Sequence, residues 1–362
     1  MKNKSILTIL TILVIAIILS ACTGGRTVVA SGWASVIADE ETAYFAYNNF
    51  VYAINLANGS ERWRYPAEPD AGVTFYSTPV LTPDGQLVIG GYDHTLYSLD
   101  PKTGALNWSY DNGTGRYIDS PLVLPTGIFA PSTDTKVYAI GFDGLPLRDP
   151  FVTEKEIWAT PGSDTQCECM FVASMDHRVY SVDASTGKMQ WATDDLGGAI
   201  VGTPALSEDR KLYIGTFAEE MVALEADTGA EVWRFAAQDW IWGGPAIGGD
   251  ALYFGDISGT FYALDRAKGT QLWKIEPGTS SIVDTPLVVG DTIYFTVEEG
   301  LLMAVNTDGS IRWQEKFDGN TYASPAAAGD LILVTTSQPE ALLVAFDASG
   351  VQKWAFSDAP KK

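Results

Sequence analysis

Reactive side chains are scarce in this chain. Of 362 residues only two are His and three are Cys, and the two imidazoles, His94 and His177, stand far apart in the sequence. A His-built metal centre or a Ser/His/Asp relay therefore lacks its parts, and no Gly-rich nucleotide loop or metal-ligand spacing occurs. Positive charge is also short, with 23 Lys and Arg against 45 Asp and Glu and a formal net charge of −22. That balance excludes an electrostatic grip on nucleic acid and flat adhesion to anionic lipid; plain solubility is its simplest consequence. Long apolar runs are missing except for Ile6 to Leu19, which falls short of the roughly 20 residues of a membrane-spanning helix. No low-complexity stretch or long polar linker divides the chain, so length alone, which would suggest two domains, is a poor guide.

What is abundant is a repeat. Around Ala263–Trp273 the sequence reads as an apolar run (Leu252 to Gly255), a turn, a second run (Thr260 to Ala263), a tight turn with Asp265 and Gly269, and a third run carrying Trp273. This predicts strands joined by hairpins, the Asp accepting amides ahead of it and the Gly supplying positive φ. The same frame returns at Trp63, Trp108, Trp191 and Trp233, and in shorter form at Trp313 and Trp354; from Trp191 onward these residues lie 40–42 apart. A second marker is a small-residue pair before proline, at Pro79, Pro121, Pro161, Pro204, Pro245, Pro286 and Pro325, stepping by 39–43, with one further step back reaching Val36. Eight units at this period predict an all-β, eight-bladed β-propeller of four-stranded antiparallel blades over residues 32–357, followed by a tail at 358–362. The third unit is irregular: Arg148 stands where the Trp belongs, between Pro146 and Pro150, so this docking site is expected to be broken and its blade the loosest.

Residues 1–21 read as an export signal, with Lys2 and Lys4 ahead of the apolar run. Leu19-Ser20-Ala21-Cys22 has the form of a lipoprotein cleavage box, which makes Cys22 the expected lipid attachment point and residues 22–31 a short tether of about 30 Å reach. The chain is thus expected to be exported and held to a membrane of the bacterial envelope by lipid on Cys22, at the outer leaflet of the plasma membrane or at an outer membrane where one exists.

The frame A-x-D-x-x-T-G-x-x-x-W resembles the tryptophan-docking repeat of the pyrroloquinoline-quinone-type β-propellers, and the resemblance runs from Trp33 to Phe356. It implies that Trp63, Trp108, Trp191, Trp233, Trp273, Trp313 and Trp354 pack between neighbouring blades as structural residues. Within that family a small, lipid-anchored, insertion-free chain is similar to the members that serve outer-membrane β-barrel assembly. The resemblance also carries a competing reading, a reduced quinoprotein dehydrogenase. The enzymes' long cofactor insertions and adjacent cysteine pair are absent here, so no cofactor is expected. A surface-exposed sensor or adhesion module is the third reading.

Three groups of residues invite a chemical role. Cys167-Glu168-Cys169 stands where a first-to-second strand turn should end; residues two apart in extended backbone are about 6.6 Å apart, so a disulfide there requires a turn, with free thiols the alternative. Asp119 and Asp284 each precede a marker proline by two residues, but they fall four blades apart, too far for a paired-carboxylate mechanism. Three residues before each marker position stand Trp33, Tyr76, Ile118, Trp158, Val201, Trp242, Val283 and Tyr322, expected to ring the channel mouth on the face that carries the second-to-third strand turns. With Arg116 and Trp240 nearby, this ring has the residue types of an interface hot spot; inner packing of the blades would account for it equally. The functional expectation is a monomeric, non-enzymatic scaffold whose mouth docks a protein loop or peptide of the envelope, such as a component of the barrel-assembly machinery, with Asp119 and Asp284 drawing in its basic residues.

Overall fold

The computed structural model describes residues 34–164, 166–278 and 280–359; Cys22 and Trp33 lie outside them. Thirty-two strands form eight separate four-stranded sheets, each built from consecutive antiparallel strands. The blades span 36–65, 80–110, 122–152, 162–192, 205–236, 246–275, 287–316 and 326–356. A single 3-10 turn, Pro339–Ala341, is the one helical element among the described residues.

Strand alternation explains how the blades stack. In the sixth blade Leu252 and Phe254 face one neighbour and join Tyr213, Met221 and Ile241 in a buried cluster. Ala251 and Tyr253 point the other way and join Ile293, Phe295 and Met303 of the seventh blade. Each sheet is thus covered on both faces, and its middle strands read as near-continuous apolar runs. Phe261 and Phe295 stack across the seam with ring centroids 3.8 Å apart.

The outer strands carry the repeat's tryptophans. In every blade except the third, a small residue pairs with the Trp beside a register shift, as Ala53 does with Trp63 and Ala263 with Trp273. Each indole then lies on the turn glycine of the next blade: Trp63 on Gly104, Trp108 on Gly144, Trp191 on Gly229, Trp233 on Gly269, Trp273 on Gly309 and Trp313 on Gly350. These glycines have φ of +68 to +86°, and an added Cβ would meet the ring at 2.5–2.9 Å, so the seat requires glycine twice over. Each indole N–H also donates to a carbonyl of that turn, for example Trp63 to Pro101 O at 2.9 Å and Trp233 to Arg266 O at 3.0 Å.

The ring closes by the same device. Trp354 of the eighth blade lies on Gly59 of the first and donates to Leu56 O at 2.7 Å; the two blades share a buried cluster including Val36, Phe45, Leu333 and Leu343. Asp358 adds a bond from Tyr52 and an ion pair with Arg64.

The third blade corrects a sequence-based expectation. Arg148 does not break its docking site. Its guanidinium lies on Gly187, donates from Nη2 to Ala184 O at 2.9 Å and covers the Phe129 ring at 5.6 Å, taking the seat, the hydrogen bond and the aromatic neighbour that the tryptophans have elsewhere. A planar cation with N–H donors at its edge can do this where a flexible ammonium could not. The blade's outer strand is nevertheless short, Phe151–Val152.

Candidate functional site

The marker prolines open the innermost strands, which begin at Val80, Leu122, Gly162, Ala205, Ala246, Leu287 and Ala326. Around the channel these entries are cross-tied by their small residues. Ser35 N donates to Thr78 Oγ1, Ser120 Oγ to Thr78 O, Thr160 Oγ1 to Ser120 O, Gly244 N to Thr285 Oγ1 and Thr285 N to Ser324 Oγ, at 2.8–3.0 Å. Where glycine replaces the hydroxyl residue, backbones come closer still: a Cβ on Gly243 would meet Asp284 O at 2.0 Å. The loops entering the blades are pinned in turn. In seven blades the amide just past the second strand donates to the entering loop, as Phe217 N does to Ala199 O and Ile257 N to Trp240 O. The second-to-third strand turns and the entering loops therefore share one face.

On that side the structure encloses a cavity of about 260 Å³ lined by Tyr76, Ile118, Trp158, Val201, Trp242, Val283 and Tyr322 together with Asp119, Asp284 and Glu298. Trp158 and Trp242 face each other with centroids 6.4 Å apart, and Trp242 packs on Phe217, which is itself stacked on the exposed Trp240. Tyr76 packs at a tilt against Tyr92, whose ring lies under Arg116 at 4.4 Å. Asn320 Nδ2 donates to Tyr322 Oη at 2.6 Å. Phe217 and Glu298 were not singled out from the sequence; both sit in second-to-third strand turns, as His94 and His177 do.

The two aspartates are wall residues. Asp119 accepts from Ser120 N at 2.7 Å and Thr160 N at 2.9 Å; it is sunk in the ring, touches open space through the cavity, and burial raises its pKa against those bonds. Asp284 is 3% exposed. Its Oδ2 accepts from Thr296 N at 2.8 Å and Thr296 Oγ1 at 3.1 Å, while Oδ1 has no partner. Burial pushes this carboxyl up to about 7 despite the Thr296 bonds. Trp158 Nε1 is likewise buried without an acceptor. Such orphaned groups are uncommon in native interiors and costly unless something meets them.

The other chemistry-bearing residues do not converge. His177 bonds Asp195, in the loop that leaves its blade, at 3.0 Å, and His94 is exposed in another blade, both at positive φ in tight turns. Cys167 and Cys169 are joined by a disulfide; Gln166 to Glu168 form a turn that brings the Cα atoms to 5.2 Å, shorter than extended backbone would allow. No group of three or more His, Cys, Asp or Glu that could hold a metal occurs among the described residues, and none of their helices is long and apolar enough to cross a membrane.

The cavity does not suit the family's quinone. Its described wall carries three carboxylates and no Lys, Arg or His, so it offers no cation of its own to the carboxylates of pyrroloquinoline quinone.

Comparison with known proteins places this geometry. The chain matches the family described as outer membrane protein assembly factor BamB over residues 19–160, 175–283 and 258–362. Among curated relatives, BamB of Shewanella oneidensis is 22% identical over 271 residues, covering 70% of this chain and 65% of its own. The tetrathionate hydrolase of Acidithiobacillus ferrooxidans is 24% identical over 58% of this chain and 53% of its own length. The polyvinylalcohol dehydrogenase of a Sphingopyxis species is 26% identical over 67% and 44%. The chain thus spans about half to two thirds of the length of these relatives. The crystal structure of BamB from Moraxella catarrhalis superposes with a TM-score of 0.71 at 17% identity, covering 86% of this chain and 92% of that one.

Proposed function

The chain belongs to the family of the outer membrane protein assembly factor BamB, and from that premise we propose that it is a non-enzymatic, lipid-anchored scaffold of the bacterial envelope that holds a protein segment at the mouth of its channel, in the service of outer-membrane β-barrel assembly. The carrying observation is where the molecule leaves its chemistry unfinished. The docking seats at the rim are filled and hydrogen-bonded, while the channel wall brings together aromatic rings and carboxylates, among them Trp158 and Asp284, each with a buried polar atom that has no partner. Rings rimmed by polar groups are the residue pattern of a binding hot spot. Anchoring rests on Leu19-Ser20-Ala21-Cys22, which would keep the chain at a membrane where barrel precursors are handled. The polyvinylalcohol dehydrogenase likeness supports the enzyme alternative, and the acidic channel wall speaks against its quinone.

Two measurements test this reading. Labelled fatty acid should enter the wild-type chain and not Cys22→Ala. A photocrosslinker replacing Trp240 should give a discrete adduct with a barrel-assembly component, whereas one replacing Lys268, in a docking turn on the opposite side, should give none. Adducts from Lys268 alone would move the docking face, and adducts from neither would sink the scaffold reading. Purified protein given quinone and calcium should reduce no dye with alcohols or sugars; a saturable, chelator-sensitive rate would establish the enzyme instead.

A further inference from the structure

We propose that the channel cavity is a receptacle for a single organic cation, an alkylammonium or alkylguanidinium group, held between aromatic faces and the carboxylates of the wall. The proposal rests on the channel mouth being the binding face and adds the chemistry of what enters it.

The wall's composition selects this charge. Three carboxylates, Asp119, Asp284 and Glu298, line a cavity of about 260 Å³ whose described wall has no basic residue. Ion pairs neutralise most acidic clusters; here the described wall provides no counter-charge. Asp284 is the deciding group, because it is 3% exposed and its Oδ1 accepts no hydrogen bond. A buried carboxylate oxygen without a partner is the acceptor that an N–H donor of a ligand would complete. Around it stand Tyr76, Trp158, Trp242 and Tyr322, and indole and phenol faces attract cations through their quadrupoles, most strongly where water is excluded. The size fits as well. The cavity lies just below the usual range for drug-sized ligands and suits a short alkyl stem with one charged head rather than a fused-ring cofactor. Trp158 Nε1, which donates to nothing in the structure, would meet an acceptor carried beside the cation, such as the peptide carbonyl of an Arg or Lys residue.

Two sources could supply the cation: a free small amine or guanidine, or the side chain of a partner's loop. Calorimetric titration of the purified full-length protein at about pH 8, above the value near 7 to which burial lifts Asp284, separates them. The probes are n-butylammonium, n-butylguanidinium, the uncharged n-butylurea, and a capped Gly-Ser-Arg-Ser-Gly peptide. Saturable binding of the butyl cations marks a small-solute site; binding of the peptide alone marks a side-chain receptor; butylurea should bind to neither extent. Asp284→Asn is the decisive variant, since its amide oxygen can keep both Thr296 bonds while the charge is lost, so folding should be retained. It should weaken cation binding about ten- to a hundredfold, as the loss of a charge-assisted hydrogen bond does. Trp158→Phe should lower affinity for the peptide and leave that for the butyl cations nearly unchanged. Butylurea binding as well as butylguanidinium, absence of saturation with every cationic probe, or full affinity in Asp284→Asn would each overturn the proposal. Loss of the Trp240 crosslink would instead count against the docking face, so the two readings fail separately.

Discussion

The docking belt and the channel ring are both rich in aromatic residues and both written into the same repeat, yet they differ in how their polar atoms end. In the belt each N–H has a carbonyl at 2.7–3.0 Å and each ring lies on a glycine. In the ring the indole of Trp158 and one oxygen of Asp284 end in nothing. A satisfied repeat is a fastening, and its one variation keeps the bond to the turn carbonyl through Arg148 Nη2 while leaving Nε buried without a partner. An unsatisfied one costs stability, of order 1–3 kcal/mol for each orphan, which a chain tolerates where a ligand recovers it. Side-chain type alone does not distinguish the two sets; completion of the indole hydrogen bonds does, seven of seven in the docking belt and not at Trp158.

The largest test of that contrast is to open the belt where it closes. Trp354 is 9% exposed, packs on Gly59 and shares a core with the first blade. Trp354→Ala should cost about 3–5 kcal/mol, the usual effect of removing a large buried aromatic, read as a shift in denaturant midpoint. Trp158→Ala, in the ring, should cost much less. Equal losses would erase the distinction between fastening and site.

Next comes the pH dependence that the buried ring carboxylate imposes. Asp284 has its pKa raised by burial to about 7 from an ordinary value of 3.8. Between these values the folded chain holds a proton that the unfolded chain has released, so stability falls as pH rises. The contribution is fully present below about pH 4 and is lost through pH 7, a swing of roughly 2–4 kcal/mol. Asp119, raised in the same direction, adds to the slope. Asp284→Asn should flatten the profile of unfolding free energy against pH over this window; an unchanged slope would mean that Asp284 is ionised in the folded state and has a partner.

The fold was legible because each blade repeats the same few decisions: a Gly at positive φ, a small residue opposite the Trp, a proline at the inner strand. The step between markers also located the ring positions, and Tyr76, Trp158, Trp242 and Tyr322 do meet around one cavity. Three things were not legible, each for a physical reason. Arg148 reads as a lost tryptophan because matching letters ignores that a guanidinium has the same plane and edge donor. Asp119 and Asp284 read as carboxylates at the channel mouth, but only the folded ring reveals that Thr160 and Thr296 bind them from inside. Cys167 and Cys169 read as lying at a turn, but the choice between a disulfide and free thiols stays open, because a two-residue spacing is blind to the backbone geometry that brings their Cα atoms to 5.2 Å.

A third test grades the belt within itself. Trp273 is half-buried where Trp63 and Trp354 are 9% exposed, so less apolar area leaves water at its seat. Trp273→Ala should therefore cost about 2–3 kcal/mol, below the Trp354 value. Parallel denaturation of Trp63→Ala and Trp273→Ala checks the order, and a larger loss at Trp273 would mean that area buried does not govern the seats.

The smallest effect is at the one seat that is not a tryptophan. Arg148 keeps the bond to Ala184 O and the contact with Phe129, but its Nε is buried without a partner, and burial holds the guanidinium pKa below its usual value, against a weaker attraction to Asp183. An indole in the same place would keep the donor and the plane over Gly187 while bringing no charge out of water. Arg148→Trp should thus stabilise by about 0.5–1 kcal/mol, and Arg148→Ala, which forfeits bond and packing together, should lose about 1–2 kcal/mol. Arg148→Lys should resemble Ala more than Arg, because an ammonium cannot lie flat on the glycine. Guanidinium chloride midpoints for the three variants decide the matter. Were Arg148→Trp less stable than Arg148→Ala, the third seam would be shaped for a cation, and the belt would consist of seven equivalent fastenings and one of a different kind.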